Sequence, residues 1–400
     1  MVKKIGLPTA LLININIIIG AGVFLNVKPL ALIAGSFGFA GYLLGATILF
    51  PFVLTLAKLA QAYPVSGGLY VYSKEYLGLF AGFVSGWSYF IGKTVSAAFL
   101  ALAFTRFFQE QILFLQPYPT ALLACLVIFT IILLNILGAH IGGSAQYVFI
   151  LTKLIPIFFI YITGILTIQT GNFSSTPQPI SSLAGTIPIA LYAFMGFEIT
   201  CSIGHMFKKS SSTIPRAIIG SFLFVTTIYI FFQLLATQQP FSLLSNKPIA
   251  TLIFTSAIAG SFGILTSNCW NLHALALDNH FPGKKILTKI SQTHVPWVGL
   301  LLEGGIACLM LLISDNQVAL QSMSVFCVVT SFLLSTLAAL LAVANKKLLI
   351  NKWIPRLALA GCGYVLFLCL KNIQTAGVSL PFLALLFGGI GLKTLWLFNK

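Results

Sequence analysis

Two hydrophobic runs in this chain are interrupted by glycine: Ile19-Gly20-Ala21-Gly22-Val23-Phe24 near the start and Tyr192-Ala193-Phe194-Met195-Gly196-Phe197-Glu198 near the middle. Each run is long enough to cross a bilayer. A helix break at that depth releases backbone N–H and C=O groups that lipid cannot satisfy, and they persist only beside protein, water or a polar ligand. Past Gly20 a restarted helix would offer the amides of Ala21, Gly22 and Val23 with its positive dipole end, a site for a carboxylate. Carbonyls freed near Ile18 and from Tyr192 to Met195 would accept from an ammonium. A zwitterion can thus be held mostly by backbone, which makes Ile18, Gly20, Ala21, Gly22, Val23, Tyr192, Ala193, Phe194, Met195 and Gly196 the candidate substrate-binding set. The competing reading of the first glycine pair is close packing of helices through small residues.

Charged side chains inside a membrane cost about 2.5 to 3.5 kcal/mol each even on the lenient insertion scale, so each needs a reason. Glu198 directly follows the second break, where a carboxyl can exchange a proton as a cavity opens to either side. Its plainer alternative is a neutral carboxyl bonded to a backbone carbonyl. Lys93 and Glu303 also fall inside apolar runs, with snorkelling or helix pairing as the default reading. His140, His205, His280 and His294 fall in loops, where solvation is expected, and His273 closes an apolar run without an evident partner.

The elements that must position these residues are spanning helices. Hydrophobic residues make up 58% of the 400 and charged residues 7%, with mean hydropathy +1.01, values that exclude a water-soluble globular domain. Apolar runs give twelve spans: Leu7 to Asn26, Phe39 to Ala60, Leu79 to Phe104, Pro119 to Leu137, Tyr147 to Ile168, Ile187 to Phe207, Ala217 to Ala236, Ile249 to Leu277, Val298 to Ile313, Val318 to Ala344, Ile354 to Leu370 and Val378 to Phe398. The amino-terminal run follows Lys3-Lys4 like a secretory signal, but it lacks a small-residue cleavage site and is kept as the first span.

Net charge is +16, which in a soluble protein would raise the question of nucleic acid. Here only Lys28, Arg106, Lys247 and Lys371 fall on the expected outer side and Lys93 and Lys153 within spans, leaving the other 16 of the 22 basic residues inside. That asymmetry reads as topology, with both termini cytoplasmic. The seven cysteines occur singly in apolar stretches, so neither a disulfide framework nor a metal site is expected, and no cofactor. The breaks fall in the first and sixth spans, and an offset of five inverts the copy, as in transporters built from inverted repeats. The chain is therefore expected to be one all-α membrane domain: a first five-helix repeat over about 7–168, a second over about 187–344, and two extra helices over about 354–398. The uncharged loop Thr170 to Ser182 reads as an outer linker.

Four motifs carry a family resemblance. They are Ile19 to Phe24, Ala62-Tyr63-Pro64-Val65-Ser66-Gly67-Gly68-Leu69-Tyr70-Val71-Tyr72, Tyr192 to Glu198, and Ala274-Leu275-Ala276-Leu277-Asp278-Asn279-His280-Phe281-Pro282. In this order and at these spans the chain resembles the amino acid-polyamine-organocation superfamily, in particular its basic amino acid/polyamine antiporter branch. The resemblance covers the first ten spans. It implies the leucine-transporter type of fold, a 5+5 inverted repeat with helices 1 and 6 broken, and substrates that are amino acids or amines driven by protons, sodium or exchange. It also implies a coupling or pH-sensing role for Glu198. Lys153 matches a lysine that lies near the unwound first helix in sodium-independent relatives, where its ammonium would replace a sodium ion; the alternative is snorkelling to the inner interface. Tyr192 stands where arginine/agmatine exchangers carry a stacking tryptophan, and Ala21 where they carry a serine. The second substrate-facing tryptophan of those exchangers falls near Ile264 or Leu265, while Trp270 reads as packing.

A proton-linked amino acid permease in the cytoplasmic (inner) membrane is the leading expectation. Antiport of an amino acid against an amine is the alternative to symport. A membrane-embedded enzyme would need a Ser/His, paired-Asp or metal constellation at membrane depth, and none has usable spacing. A channel would favour a filter loop or rings of like charge.

Overall fold

The computed structural model describes residues 4–20, 22–65, 67–137, 143–167, 183–237, 247–280, 283–375, 386 and 388–389. Apolar runs without water must close their backbone hydrogen bonds internally, and among the described residues the only β pairing is an isolated bridge between Ile5 and Phe207. The α-helices are α1 (Leu7–Ile18), α2 (Gly22–Ala34), α3 (Gly38–Ala62), α4 (Gly68–Gln111), α5 (Thr120–Ile136), α6 (Gly143–Thr167), α7 (Leu183–Phe194), α8 (Ile199–Ser202), α9 (Ser210–Ala236), α10 (Lys247–Leu277), α11 (Lys284–Leu287), α12 (Trp297–Ile313), α13 (Gln317–Ala344) and α14 (Trp353–Thr375).

The first expected span is two helices, α1 and α2, and the sixth is α7 followed by a turn and α8. At 12 residues, α1 and α7 each reach about 18 Å, short of a hydrocarbon core of about 30 Å. The third span starts earlier than hydropathy alone predicts. α4 begins at Gly68 and turns at Gly78, whose φ of 89° and ψ of 173° split a short leading piece from the long span. A Cβ at Gly78 would meet nothing within 4 Å, so backbone conformation rather than space calls for glycine there. The expected twelfth span and the linker Thr170 to Ser182 lie outside the described residues, apart from 386 and 388–389.

Two packing groups follow from the contacts. α2, α3, α7 and α9 lie against one another with α1 on α9, and α4, α5, α10 and α12 lie against one another. In span order these groups are 1, 2, 6 and 7 and 3, 4, 8 and 9, so each unites helices five apart. α13 runs along α4 and also packs against α14, which in turn lies on α3. The segment before α1 is tied to the segment after α8: the Ile5 amide donates to the Met206 carbonyl at 2.8 Å, and the Lys208 amide to the Ile5 carbonyl at 2.8 Å. The outer face of α5 presents Leu122, Leu126, Phe129 and Leu133, all exposed at helical spacing, as a lipid-facing stripe requires.

Candidate functional site

The two breaks meet. α1 ends at Ile18, Ile19 leaves the helix at ψ 81°, and α2 restarts at Gly22, so the Gly22 and Val23 amides occupy a first turn that lacks intrahelical acceptors. Ala21 lies outside the described residues. In the sixth span α7 ends at Phe194, and Gly196 takes φ 136°. A Cβ on Gly196 would lie 2.9 Å from Ile17 Cγ2 and 3.1 Å from the Ile18 nitrogen, so glycine is required both by conformation and by the approach of the first break.

Tyr229 of α9 joins them. Its hydroxyl lies 2.7 Å from the Ile18 carbonyl and 3.1 Å from the Ala193 carbonyl and shares its single proton between the two. The Ile18 carbonyl also accepts from the Gly20 amide at 2.8 Å, so an incoming ammonium there takes the place of one of these two donors. Asn14 adds a second link, its Nδ2 donating to the Phe197 carbonyl at 2.8 Å. Tyr192 lies over the restart of α2: a Cβ on Gly22 would sit 3.4 Å from Tyr192 Cδ1, an ordinary contact. A methyl group therefore fits at Gly22, and a longer chain runs into the ring. The Tyr192 hydroxyl pairs with Ser96 Oγ at 3.0 Å, and Phe99 packs edge-on against its ring. On the facing side of the first break, Ile17 is met by α10 at Gly263, beside buried Ile264 and Leu265.

Glu198 is not a solitary carboxyl. Its Oε1 lies 2.5 Å from Lys93 Nζ and accepts from the Tyr89 hydroxyl at 3.0 Å, while its Oε2 accepts from the Gly196 amide at 2.9 Å. Both charges are buried, at 1% and 0% side-chain exposure. Lys93 therefore does not snorkel, and the alternative of a carboxyl bonded to a carbonyl is replaced by one bonded to an amide and an ammonium. Tyr89, Lys93 and Ser96 stand at i, i+4 and i+7 on α4, one face of a helix, and that face bears on residues 192–198. This polar stripe is readable in the sequence once spacing is counted.

Lys153 of α6 is fully buried and donates from Nζ to the Asn16 carbonyl in α1, a brace two residues before the end of that helix rather than an interfacial position. Glu303 of α12 is also fully buried; its Oε1 accepts from Asn268 Nδ2 at 2.7 Å, and that amide reaches the Phe90 carbonyl at 3.0 Å, so the group joins α12, α10 and α4.

The two loop motifs form a second cluster, away from the breaks. Lys74, in the short leading piece of α4, lies 2.5 Å from Asp278 Oδ2, which also accepts from the Tyr70 hydroxyl. His280 is buried, with Nε2 at 2.8 Å from the same hydroxyl, which corrects its assignment to a solvated loop. His205 and His273 both pack on Trp270, confirming that ring as packing. Ser66, His140, Phe281 and Pro282 lie outside the described residues. Burial alone would raise the Asp278 carboxyl, but the bonds from Lys74 and Tyr70 and the charges of Lys74 and Lys284 outweigh it and hold it below the ordinary carboxylate value. Stability from this group is therefore present above the unfolded carboxylate pKa of about 3.9 and is lost as pH falls through the lower folded value. Because the pair is about one-third exposed, Asp278→Asn is expected to cost under about 1 kcal/mol. Melting of wild type and variant in detergent should differ at pH 6 and converge as the pH approaches 3; a difference that widens in acid would contradict the assignment.

A third pair, Arg106 with Asp315 at 3.1 Å, spans the opposite end of α4. Among the described residues all three ion pairs thus draw their cation from α4, at its two ends and its centre.

Two broken helices joined at mid-span, in a polytopic all-helical chain, define a membrane transporter of the broken-helix class. Comparison with known proteins agrees. The chain matches the family model described as Amino acid permease over residues 5–238, and a second model of the same description over 244–388. It belongs to the amino acid permease family, and its substrate class is amino acids. It is 29% identical to the serine/threonine exchanger SteT of Bacillus subtilis, over 91% of this chain and 90% of that protein. Similarity extends to the amino-acid permease AapA of the same organism (25%, 70% of this chain and 66% of that protein). It also extends to the human Asc-type amino acid transporter 1 (26%, 80% and 68%). None of these names specifies the basic amino acid/polyamine branch.

Proposed function

We propose that the protein exchanges amino acids across the cytoplasmic (inner) membrane by alternating access, with both termini cytoplasmic and without sodium. The observation that carries this reading is the junction of the two breaks through Tyr229, which sets the amides of Gly22 and Val23 on one side and the carbonyls of Ile18 and Ala193 on the other. The substrate carboxylate takes the amides, together with Ala21, and its ammonium takes the carbonyls, with Gly20, Tyr192, Phe194, Met195 and Gly196 shaping the space between. A full-length relative that is a serine/threonine exchanger supports exchange over symport.

Lys153 fixes the end of α1 with its ammonium, the task a bound sodium ion would otherwise perform. Glu198 is the group through which protons bear on transport. Its oxygens accept from Lys93 and Tyr89 of α4 and from the Gly196 amide of its own break, so its surroundings change with the relative movement of the two packing groups.

The test is uptake of radiolabelled amino acids and amines into proteoliposomes, with and without an imposed pH gradient, in sodium or in choline buffer. Uptake of an amino acid that needs internal amino acid and is unchanged in choline is expected. A steep sodium requirement would remove Lys153 from its bracing role, and no movement of any amino acid would overturn the reading.

A further inference from the structure

A buried charge next to a binding segment sets which substrates that segment will accept. Removal of charge from water is offset only by a partner, and a partner already present cannot serve a ligand. Glu198 is the only acid in the sixth-span break. Left alone, its carboxylate would sit within two residues of Gly196 as a ready counter-ion for a cationic side chain. Lys93 occupies it from α4 at 2.5 Å, and Tyr89 shares the same oxygen. One turn along the same face, about 4.5 Å of helix rise, Ser96 bonds Tyr192, whose ring covers the start of α2. The pair is thus tied to the sixth-span break directly through the Gly196 amide and stands on the same face of α4 as the Ser96 that holds Tyr192 over the start of α2.

We propose that Lys93 is a specificity-determining residue: by neutralising Glu198 it restricts the site to amino acids with uncharged side chains and excludes arginine, lysine and their decarboxylated amines. This rests on the reading of the chain as an amino acid exchanger with its site at the paired breaks. The sequence resemblance to a basic amino acid/polyamine branch points the other way, and Lys93 is the reason this chain departs from it. Loss of Lys93 frees Glu198 to pair with a cationic substrate. Loss of Glu198 leaves a buried ammonium that suits an acidic one.

The experiment is counterflow in proteoliposomes with radiolabelled L-serine, L-arginine and L-aspartate, using wild type, Lys93→Gln, Glu198→Gln and the double variant. Wild type is expected to move serine and to be indifferent to arginine as competitor. Lys93→Gln should raise the arginine-to-serine ratio by roughly tenfold or more, the scale of unpairing a buried charge, and the double variant should lose that gain. Should Lys93→Gln fail to fold, Glu198→Gln carries the opposite arm, a rise in the aspartate-to-serine ratio, and the wild-type competition stands without any variant. Arginine competing as well as serine in wild type, or folded variants with unaltered ratios, would overturn the role of Lys93 while leaving amino acid exchange intact. Failure of wild type to move any of the three amino acids would strike the underlying reading instead.

Discussion

Gly22→Leu is expected to abolish amino acid exchange, whereas Gly22→Ala should retain most of it. The ring of Tyr192 lies at ordinary contact distance from a Cβ at this position, so a methyl group is accommodated, while the further carbons of leucine must displace the ring or the backbone at Ala193. Tyr192 is itself pinned by Ser96 and packed against Phe99, which leaves it little room to move. Displacement of the restart of α2 by even about 1 Å takes the Gly22 and Val23 amides out of line with a carboxylate, and such misplacement costs on the order of a hundredfold in rate. Initial exchange rates of the two variants, normalised to folded protein by size-exclusion chromatography, are the measurement. Normal exchange by Gly22→Leu would move the carboxylate site elsewhere.

Glu198→Gln is expected to have two separable effects. Glutamine has a single acceptor oxygen where Glu198 uses one for the Tyr89 hydroxyl and the other for the Gly196 amide; with that oxygen turned to Gly196 the turn after α7 keeps its bond and the one from Tyr89 is lost. Lys93, however, is left buried and unpaired, and breaking one side of a buried pair costs about 3 to 5 kcal/mol. Adding Lys93→Met should recover a large part of that loss, because both charges are then gone. The second effect concerns protons: with no carboxyl in the break, the pH dependence of uptake and accumulation driven by a pH gradient should vanish while exchange continues. Melting temperatures of the single and double variants test the first effect, and uptake across a pH series tests the second. A pH profile identical to wild type would make Glu198 a structural hydrogen-bonding residue and pass attention to Glu303, whose carboxyl is buried against Asn268.

Much of this was legible in the sequence because bilayer physics leaves few options. A run of apolar residues must be helical, and the pair Gly20 and Gly22 marks a break, whereas Gly304 with Gly305 in α12 and Gly361 with Gly363 in α14 lie in unbroken helices. The span edges at α5, α9, α10, α12 and α13 follow hydropathy closely at one or both ends. The leading piece of α4 escaped because Gly68 to Leu77 carries Lys74 and Glu75 and several tyrosines, a composition that reads as loop until Gly78 is seen to turn the chain. Side-chain partners were harder. Lys93 looked unassigned because its partner lies 105 residues away in another span, and no periodicity within one helix reveals that. Tyr229 carried no signal at all: a tyrosine in an apolar helix is ordinary, and only the approach of Ile18 and Ala193 gives its hydroxyl a task. The loop motifs surrounding Tyr70 and Asp278 were recognised by resemblance, but their meeting depends on how the leading piece of α4 docks beneath α10.

A single amino acid bridging the two breaks would be seen in an experimental structure with the exchanged amino acid bound. The substrate carboxylate is expected within hydrogen-bonding distance of the Gly22 and Val23 amides, its ammonium facing the Ile18 and Ala193 carbonyls, and Tyr192 against its side chain. An amino acid bound elsewhere, or bound between the breaks with its carboxylate away from the start of α2, would contradict it.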